Sequence, residues 1–437
     1  MTDFTTEPID PAAAATLEAN GLSLELVDTA DRARFEPWML AVNRGFMGGV
    51  FEKDVLDAQL EGAAYRRTSG VYDSEAHDPS EPVGTVNSWP GRLTIPGERD
   101  IDAWAISSVT VAPTHRRRGI ARALLEAELA TANRLGIPIA MLTVSESTIY
   151  GRFGFAPAAM GADWTIDTHR VRWTGPPTSG RVQFVSIPEF RTEVAELHER
   201  TRLASPGMID VWPRRWDQIA GIRDSDEART KALRAARHVD DDGVTRGIVL
   251  YRVTGGDHDF VTHKVTVEKL VAETPDAYAA LWRFLIEMDL VQEVSADLRA
   301  TDEPLRWQLS DWRGATVKTY DHQWLRILDV VGAFTERAYV GEGRLALDVT
   351  DPLGYAEGKW LLTVEGDDPS VELVETIPRD VAALSMTANE LAALYLGGVS
   401  AVNLAAARFV TESHPGDAIL ADSILRSPVT PWLSVWY

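Results

Sequence analysis

The chain has 437 residues, 45% hydrophobic and 25% charged, the composition of a globular protein with room for about three domains that each bury a core. Its net charge of −22 argues against nucleic acid as a partner, because most of the surface would repel phosphates, and favours a cationic one. The absence of cysteine excludes disulfides, thiolate metal sites and a cysteine nucleophile. No run reaches the roughly eighteen uninterrupted apolar residues of a membrane helix. The N-terminus carries Asp3, Glu7 and Asp10 with no basic start and no apolar stretch, so it does not read as a secretory signal. A cytoplasmic location is expected, with secretion by a route that needs no signal peptide left open.

Residues 1–21, rich in Pro, Ala and acid, read as a mobile tail. Leu22, Leu24 and Leu26 then alternate with polar residues as a strand, and Asp31 is placed to cap a helix through Phe35, Trp38 and Val42. The Gly45-Phe46-Met47-Gly48-Gly49 corner reads as a loop, with pocket lining as a second reading. Val83–Asn87 and Ile101–Trp104 are strands that lead into Ala105-Ile106-Ser107-Ser108-Val109-Thr110-Val111. Pro113 ends that β-branched run, and from Ile120 apolar residues recur at helical spacing through Leu124, Ala127 and Leu129. Between them lies a basic turn, Arg116-Arg117-Arg118-Gly119. A helix N-terminus offers unsatisfied N–H groups and the positive end of the dipole, so this strand–turn–helix is an anion cradle whose arginines suit a pyrophosphate. Gly119 allows the backbone to approach the phosphates closely.

Spacing decides which phosphate ligand is meant. The chain has no Walker loop, and a Rossmann turn needs three spaced glycines where Gly119 stands alone. Arg116-x-x-Gly119-x-Ala121 instead resembles the Arg/Gln-x-x-Gly-x-Gly/Ala turn with which GNAT acyltransferases hold the pyrophosphate of acetyl-CoA. A buried strand follows at Pro138–Val144, and then Ser145-Glu146-Ser147-Thr148-Ile149-Tyr150-Gly151-Arg152-Phe153-Gly154-Phe155. This run is similar to the GNAT segment in which a tyrosine precedes Gly-Phe by four residues, on the short helix after the strand that splays to admit the cofactor.

From Val182 to about Gly314 the pattern returns in worn form. Gly247–Tyr251 and Val265–Val267 are strands, and Lys269–Leu281 begins a helix that continues through Trp282 and Leu285. Placing Val271-Ala272 on Val111-Ala112 sets Asp276, Ala277 and Tyr278 where the three arginines stand and Ala279 in place of Gly119. An acid there repels pyrophosphate, so this second, degenerate GNAT-like fold is expected not to bind CoA. Beyond about Val317, Gln323–Leu328, Leu345–Val349, Trp360–Val364 and Val371–Leu373 suggest strands, with helices at Thr387–Leu396 and Asp417–Ile424; Thr387 and Glu390 form a capping box. This region resembles the sterol-carrier-like domain that ends one branch of the GNAT family.

Taken together the chain resembles the enhanced intracellular survival (Eis) family of actinobacterial GNAT N-acetyltransferases. The resemblance implies an α+β protein: a tail at 1–21, a catalytic GNAT domain at 22–175, a degenerate copy at 176–316 and a sterol-carrier-like domain at 317–437 whose C-terminus reaches the active site. It implies that acetyl passes from acetyl-CoA to a primary amine by direct attack. The main chain of Val109 and Val111 would pair with the acetyl and pantetheine amides, and Arg116, Arg117, Gly119, Ile120 and Ala121 would hold the pyrophosphate. Ser145 would lie near the pantetheine arm, Tyr150 would be the general acid, and the terminal carboxylate of Tyr437 the base. A phenol titrates near pH 10, so Tyr150 would keep its proton for the departing thiolate. The implied partners are an amine, either a cationic small molecule or a lysine side chain, and five further copies in a homo-hexamer; no metal is expected. The Gly45–Gly49 corner carries no carboxylate, and Trp436 precedes the terminus where an acid would suit a polyamine. A non-catalytic CoA- or lipid-binding sensor or assembly protein is the alternative. Hydrolase chemistry has no support: there is no Gly-x-Ser-x-Gly, and the nine histidines form no His-Glu-x-x-His site.

Overall fold

The alternating leucines form β1 (Ser23–Leu26), and Asp31 caps the helix Arg32–Gly45 by accepting from Ala33 N. β2 (Arg67–Tyr72), β3 (Gly84–Ile95) and β4 (Arg99–Val111) follow as antiparallel neighbours, and the helix Ile120–Arg134 crosses over to β5 (Ile139–Thr143), which runs parallel to β4. This computed structural model describes residues 3–223, 226–256 and 261–437. The chain divides into two compact units: one takes the residues up to Ala159 with Gln323–Val429 and Trp436–Tyr437, the other Met160–His322 with Thr430–Val435. The core under the first sheet gathers Trp104, Ile106, Leu124, Leu125, Leu142 and Phe155. On its other face Trp38 donates its indole N–H to Ser69 O at 2.8 Å.

Residues 3–18 are not a loose tail. Pro11–Glu18 is a helix capped by Asp10, Ala13 and Leu17 are buried in the first core, and Phe4 meets Trp104 edge-on at 6.0 Å. Buried Arg67 donates to the Glu7 carbonyl, and Arg134 donates to the Glu7 side chain and to Pro8 O. The low-complexity composition concealed apolar positions at helical spacing.

The second unit repeats, strand for strand, the series β1–β5 of the first. After β6 (Ala156–Asp167) come β7 (Arg181–Val185), a helix Ile187–Thr201 opened by the Ser186–Glu189 capping box, β8 (Leu233–Val239), β9 (Thr245–Thr254), β10 (His263–Ala272), a helix Pro275–Ile286 and β11 (Val291–Arg299). β10 and β11 are parallel, the others antiparallel. Two expectations for this copy need correction. Lys269–Ala272 continues the strand, because the helix starts only where Thr274 caps it and Pro275 takes its first position. Asp276 therefore lies in the first helical turn, bonded to Ser179 N at 3.2 Å and Ser179 Oγ at 2.5 Å, and replaces no arginine. Residues 112–119 link strand to helix in the first copy, whereas Glu273 and Thr274 alone do so in the second. The cradle is missing rather than repulsive.

β12 (Ala315–Ile327) ends in a stretch, Gln323–Ile327, that pairs antiparallel with β5. Its apolar pattern identified a strand without saying which sheet it joins. In the remaining region β13 (Gly343–Thr350), β14 (Gly358–Glu365), β15 (Asp368–Leu373), β16 (Ala382–Thr387) and β17 (Thr411–Glu412) form a sheet ordered β15-β14-β13-β16-β17, with helices Val330–Glu336, Ala388–Tyr395, Ala401–Ala406 and Asp417–Leu425. The Thr387–Glu390 capping box is present.

Arg326 of β12 and Asp351 form a fully buried ion pair at 2.5 Å, completed by Ala356 N and Leu353 N donating to Asp351. Removing one partner strands the other charge in the core. Asp351→Ala should therefore lower the unfolding free energy, followed by urea denaturation, by about 3–5 kcal/mol. The joint Arg326→Met, Asp351→Leu change should recover most of that loss; equal loss in both proteins would contradict the ion-pair account.

Candidate active site

The site grows out of the parallel pair in the first unit. β4 and β5 pair only from Ala103–Ala105 to Ile139–Met141. Beyond Ala105, β4 remains bonded to β3 through a bulge: Ser108 has φ +56° and the register shifts between Thr85 and Asn87. A bulge adds twist, so β4 turns away from β5 and leaves the edge that carries Val109 and Val111 unpaired on that side. Extended backbone with free N–H and C=O groups is what a ligand built from consecutive amides needs.

β4 delivers the chain to the basic turn. Pro113–His115 form one turn of 3-10 helix, Arg117 has φ +64°, and Gly119 caps the helix Ile120–Arg134 at φ +81°. A Cβ at Gly119 would meet no atom within 4 Å, so the space over this cap is open. Ile120 is buried and its side chain packs in the core, so Ile120 and Ala121 can offer only main-chain N–H groups to an anion.

The three arginines divide. Arg118 donates to Asp73 Oδ2 at 2.9 Å and to Asn20 O at 2.8 Å, and His115 Nε2 meets the same Asp73 oxygen at 3.0 Å. The Glu75 N–H, then Arg118 and His115, hold the Asp73 carboxyl down from its ordinary 3.8 to about 2. Asp73 thus stays ionised throughout the neutral range and loses its hold only as pH falls through about 2. Arg118 is committed to the fold, whereas Arg116 and Arg117 are exposed beside Gly119. Nothing in the local sequence separates the three, because Asp73 lies 45 residues away.

At the far end of β5, exposed Ser145 precedes the short helix Ser147–Tyr150. Tyr150 is buried and meets Phe155 edge-on at 6.3 Å; burial first, and Glu146 second, push its phenol above the usual 10. The segment after it is braced from the third region. Asn389 donates to Gly151 O at 2.8 Å and to Phe155 O at 2.7 Å, and a Cβ at Gly154, where φ is +81°, would lie 2.6 Å from Arg326 Nε. Neither brace was visible in the sequence; the Thr387 cap marked only where Asn389's helix begins.

Tyr437 completes the group. Thr143, the last residue of β5, donates its hydroxyl to Tyr437 O at 2.8 Å, and the ring of the half-buried tyrosine lies edge-on to Trp89 at 6.0 Å. Thr143 is a candidate site residue that sequence reasoning missed. An open groove of about 470 Å³ in the same unit is lined by Arg32, Glu36, Pro37, Leu40, Asp78 and Glu81. Arg32 pairs with its Glu36 and Arg44 with its Glu81, so these two acids are already matched. Among the described residues no cluster of His, Asp and Glu is arranged to hold a metal ion, and no helix is long and apolar enough to cross a membrane.

A parallel strand pair that opens beside a bulged strand, leading to a basic turn on a helix N-terminus, defines a GNAT acyltransferase. In keeping with this, residues 31–158 and 207–327 each match the acetyltransferase (GNAT) domain family, and residues 330–434 match the sterol carrier protein domain family. An uncharacterized N-acetyltransferase of Streptomyces avermitilis is 39% identical over 90% of this chain and 94% of its own length. The N-acetyltransferase Eis of Mycobacterium tuberculosis is 35% identical over 75% of this chain and 79% of its own. The crystal structure of Eis1 from Mycobacterium abscessus superposes with a TM-score of 0.80 at 25% identity, covering 95% of this chain and all of that one. The chain belongs to the Eis family of GNAT N-acetyltransferases, with two GNAT domains followed by a sterol-carrier-like domain.

Proposed function

We propose that this acetyltransferase moves acetyl from acetyl-CoA to a primary amine, on a cationic small molecule or a lysine side chain, within the first GNAT copy. What supports this reading most is that an open β4 edge, an open basic cradle, Tyr150 and the Tyr437 carboxylate all belong to one unit, around one strand–helix–strand crossover. Arg116 and Arg117 with the Gly119, Ile120 and Ala121 main chain hold the pyrophosphate, Val109 and Val111 pair with the amides, and Ser145 lies by the pantetheine arm. The amine nitrogen attacks the thioester carbonyl. It turns acidic as the N–C bond forms, so the Tyr437 carboxylate, steadied by Thr143, suffices to take its proton. The C–S bond breaks and Tyr150 gives its proton to the sulfur, leaving acetamide and CoA thiol.

Domain limits of 22–175, 176–316 and 317–437, a cytoplasmic location and a homo-hexameric assembly complete the proposal. Without the turn, the second copy binds no CoA. Thiol detection of CoA release from acetyl-CoA, across polyamines, aminoglycosides and lysine peptides, tests the reading: at least one amine class should give saturable release. Acetyl-CoA binding with no release across the panel would overturn it in favour of a sensor.

A further inference from the structure

The second copy opens as the first does. β10 and β11 pair from His263–Val267 to Val291–Ala296, and then β10 bulges at Glu268 and continues to Ala272 bonded only to β9. In the first copy this opening faces an anion cradle; here the cradle is gone and the opening is filled by the chain itself. Trp432 donates its indole N–H to Leu298 O, two residues past the last residue of β11 that pairs with β10, at 2.7 Å, and its backbone N–H to Pro206 O at 2.8 Å. The Arg299 guanidinium lies 4.9 Å from the same indole ring. On the β10 side, Lys269 Nζ donates to Ser434 O at 3.0 Å and sits 2.6 Å from Ser434 Oγ. His322 Nε2 bonds Val435 O at 2.9 Å, and Leu433, Ser434 and Val435 are buried.

We propose that the opening between β10 and β11, the vestige of a cofactor cleft, is a docking groove for the segment Thr430–Val435, with Lys269 and Trp432 as its positioning residues. Lys269 is an unusual residue to bury. Desolvation, reinforced by Arg299 and Arg215, pulls its ammonium well below the ordinary range. An aliphatic residue would fill that space at less cost, so its worth lies in the hydrogen bonds to Ser434. Two residues after Val435 the chain reaches Tyr437. Fixing 430–435 therefore limits, through the covalent chain, where the Tyr437 carboxylate can be. The second GNAT copy then contributes to catalysis by holding a base in place of a cofactor. This consequence rests on the proposed role of Tyr437; the docking itself does not.

Hydrogen exchange read by mass spectrometry on the full-length protein tests the docking, with turnover as a separate readout. The amides of 431–437, where Pro431 contributes none, should be protected in the wild type and exchange about tenfold faster or more in Lys269→Met and in Trp432→Ala. The second variant guards against a folding defect, since it alters only the docked segment. kcat should fall by about tenfold in both while KM for acetyl-CoA changes less than about twofold, the pattern of a displaced catalytic group. A segment that exchanges like a free peptide in the wild type, or stays fully protected in both variants, would overturn the inference. If both variants loosen the segment and turnover is unchanged, the docking stands and the role given to Tyr437 falls.

Discussion

Adding a few residues after Tyr437 should abolish turnover while acetyl-CoA still binds. The extension converts a carboxylate into an amide, which carries no charge and accepts no proton from an amine. Thr143 donates to Tyr437 O at 2.8 Å, and an amide carbonyl could keep that bond, so lost turnover would report lost basicity and not a lost contact. The added residues must also find a way out past the place where the tyrosine ring meets Trp89 edge-on. The extension leaves the stretch Val109–Ala121, proposed to hold the donor, unchanged in sequence. Loss of a general base costs about 10²–10⁴ in rate, so kcat should fall by that range while calorimetry gives an acetyl-CoA affinity within about threefold of the wild type. Full activity in the extended protein would remove the terminal carboxylate from the mechanism.

Tyr150→Phe should show the complementary defect on the leaving-group side. The change deletes one oxygen and keeps the ring that packs edge-on with Phe155, so the fold and the donor cradle should survive. With no proton donor at the sulfur, thiolate must leave unprotonated, and kcat should drop by about a hundredfold or more with KM for acetyl-CoA little changed. The pH dependence carries a sign. Burial and Glu146 raise the Tyr150 phenol above 10, so the group is in its protonated, acid-competent form throughout the neutral range. Wild-type kcat should therefore hold up as pH rises and decline only above about pH 10, where the proton is lost, and that decline should be absent in Tyr150→Phe. A wild-type loss of rate centred near neutral pH would point to a different acid.

The readable parts of the site share a physical property: their cause is local. A β-branched strand, a proline stop, a glycine at φ +81° and an apolar helix follow one another within the span 105–134, and each of these elements is recognisable from near neighbours. The Tyr150–Phe155 run and the Thr387 cap are of the same kind. Local pattern was also enough to detect the worn second copy from its strands.

It was not enough to align that copy's turn, because Lys269–Ala272 is apolar enough for helix or strand, and only its pairing with β9 decides between them. Composition misled at residues 3–18, where Ala13 and Leu17 are held in the core by contacts the tail cannot announce by itself. The sequence alone determined that this protein carries a basic, glycine-bearing turn between strand and helix on a GNAT scaffold, and that Tyr150 follows the next strand. Only the tertiary structure decided which arginines of that turn are free, what braces Tyr150 and where the C-terminal segment lies. The partners concerned are 45, 238 and 165 residues apart in the chain, and contacts at such range leave no periodic trace, because packing and not propensity selects them.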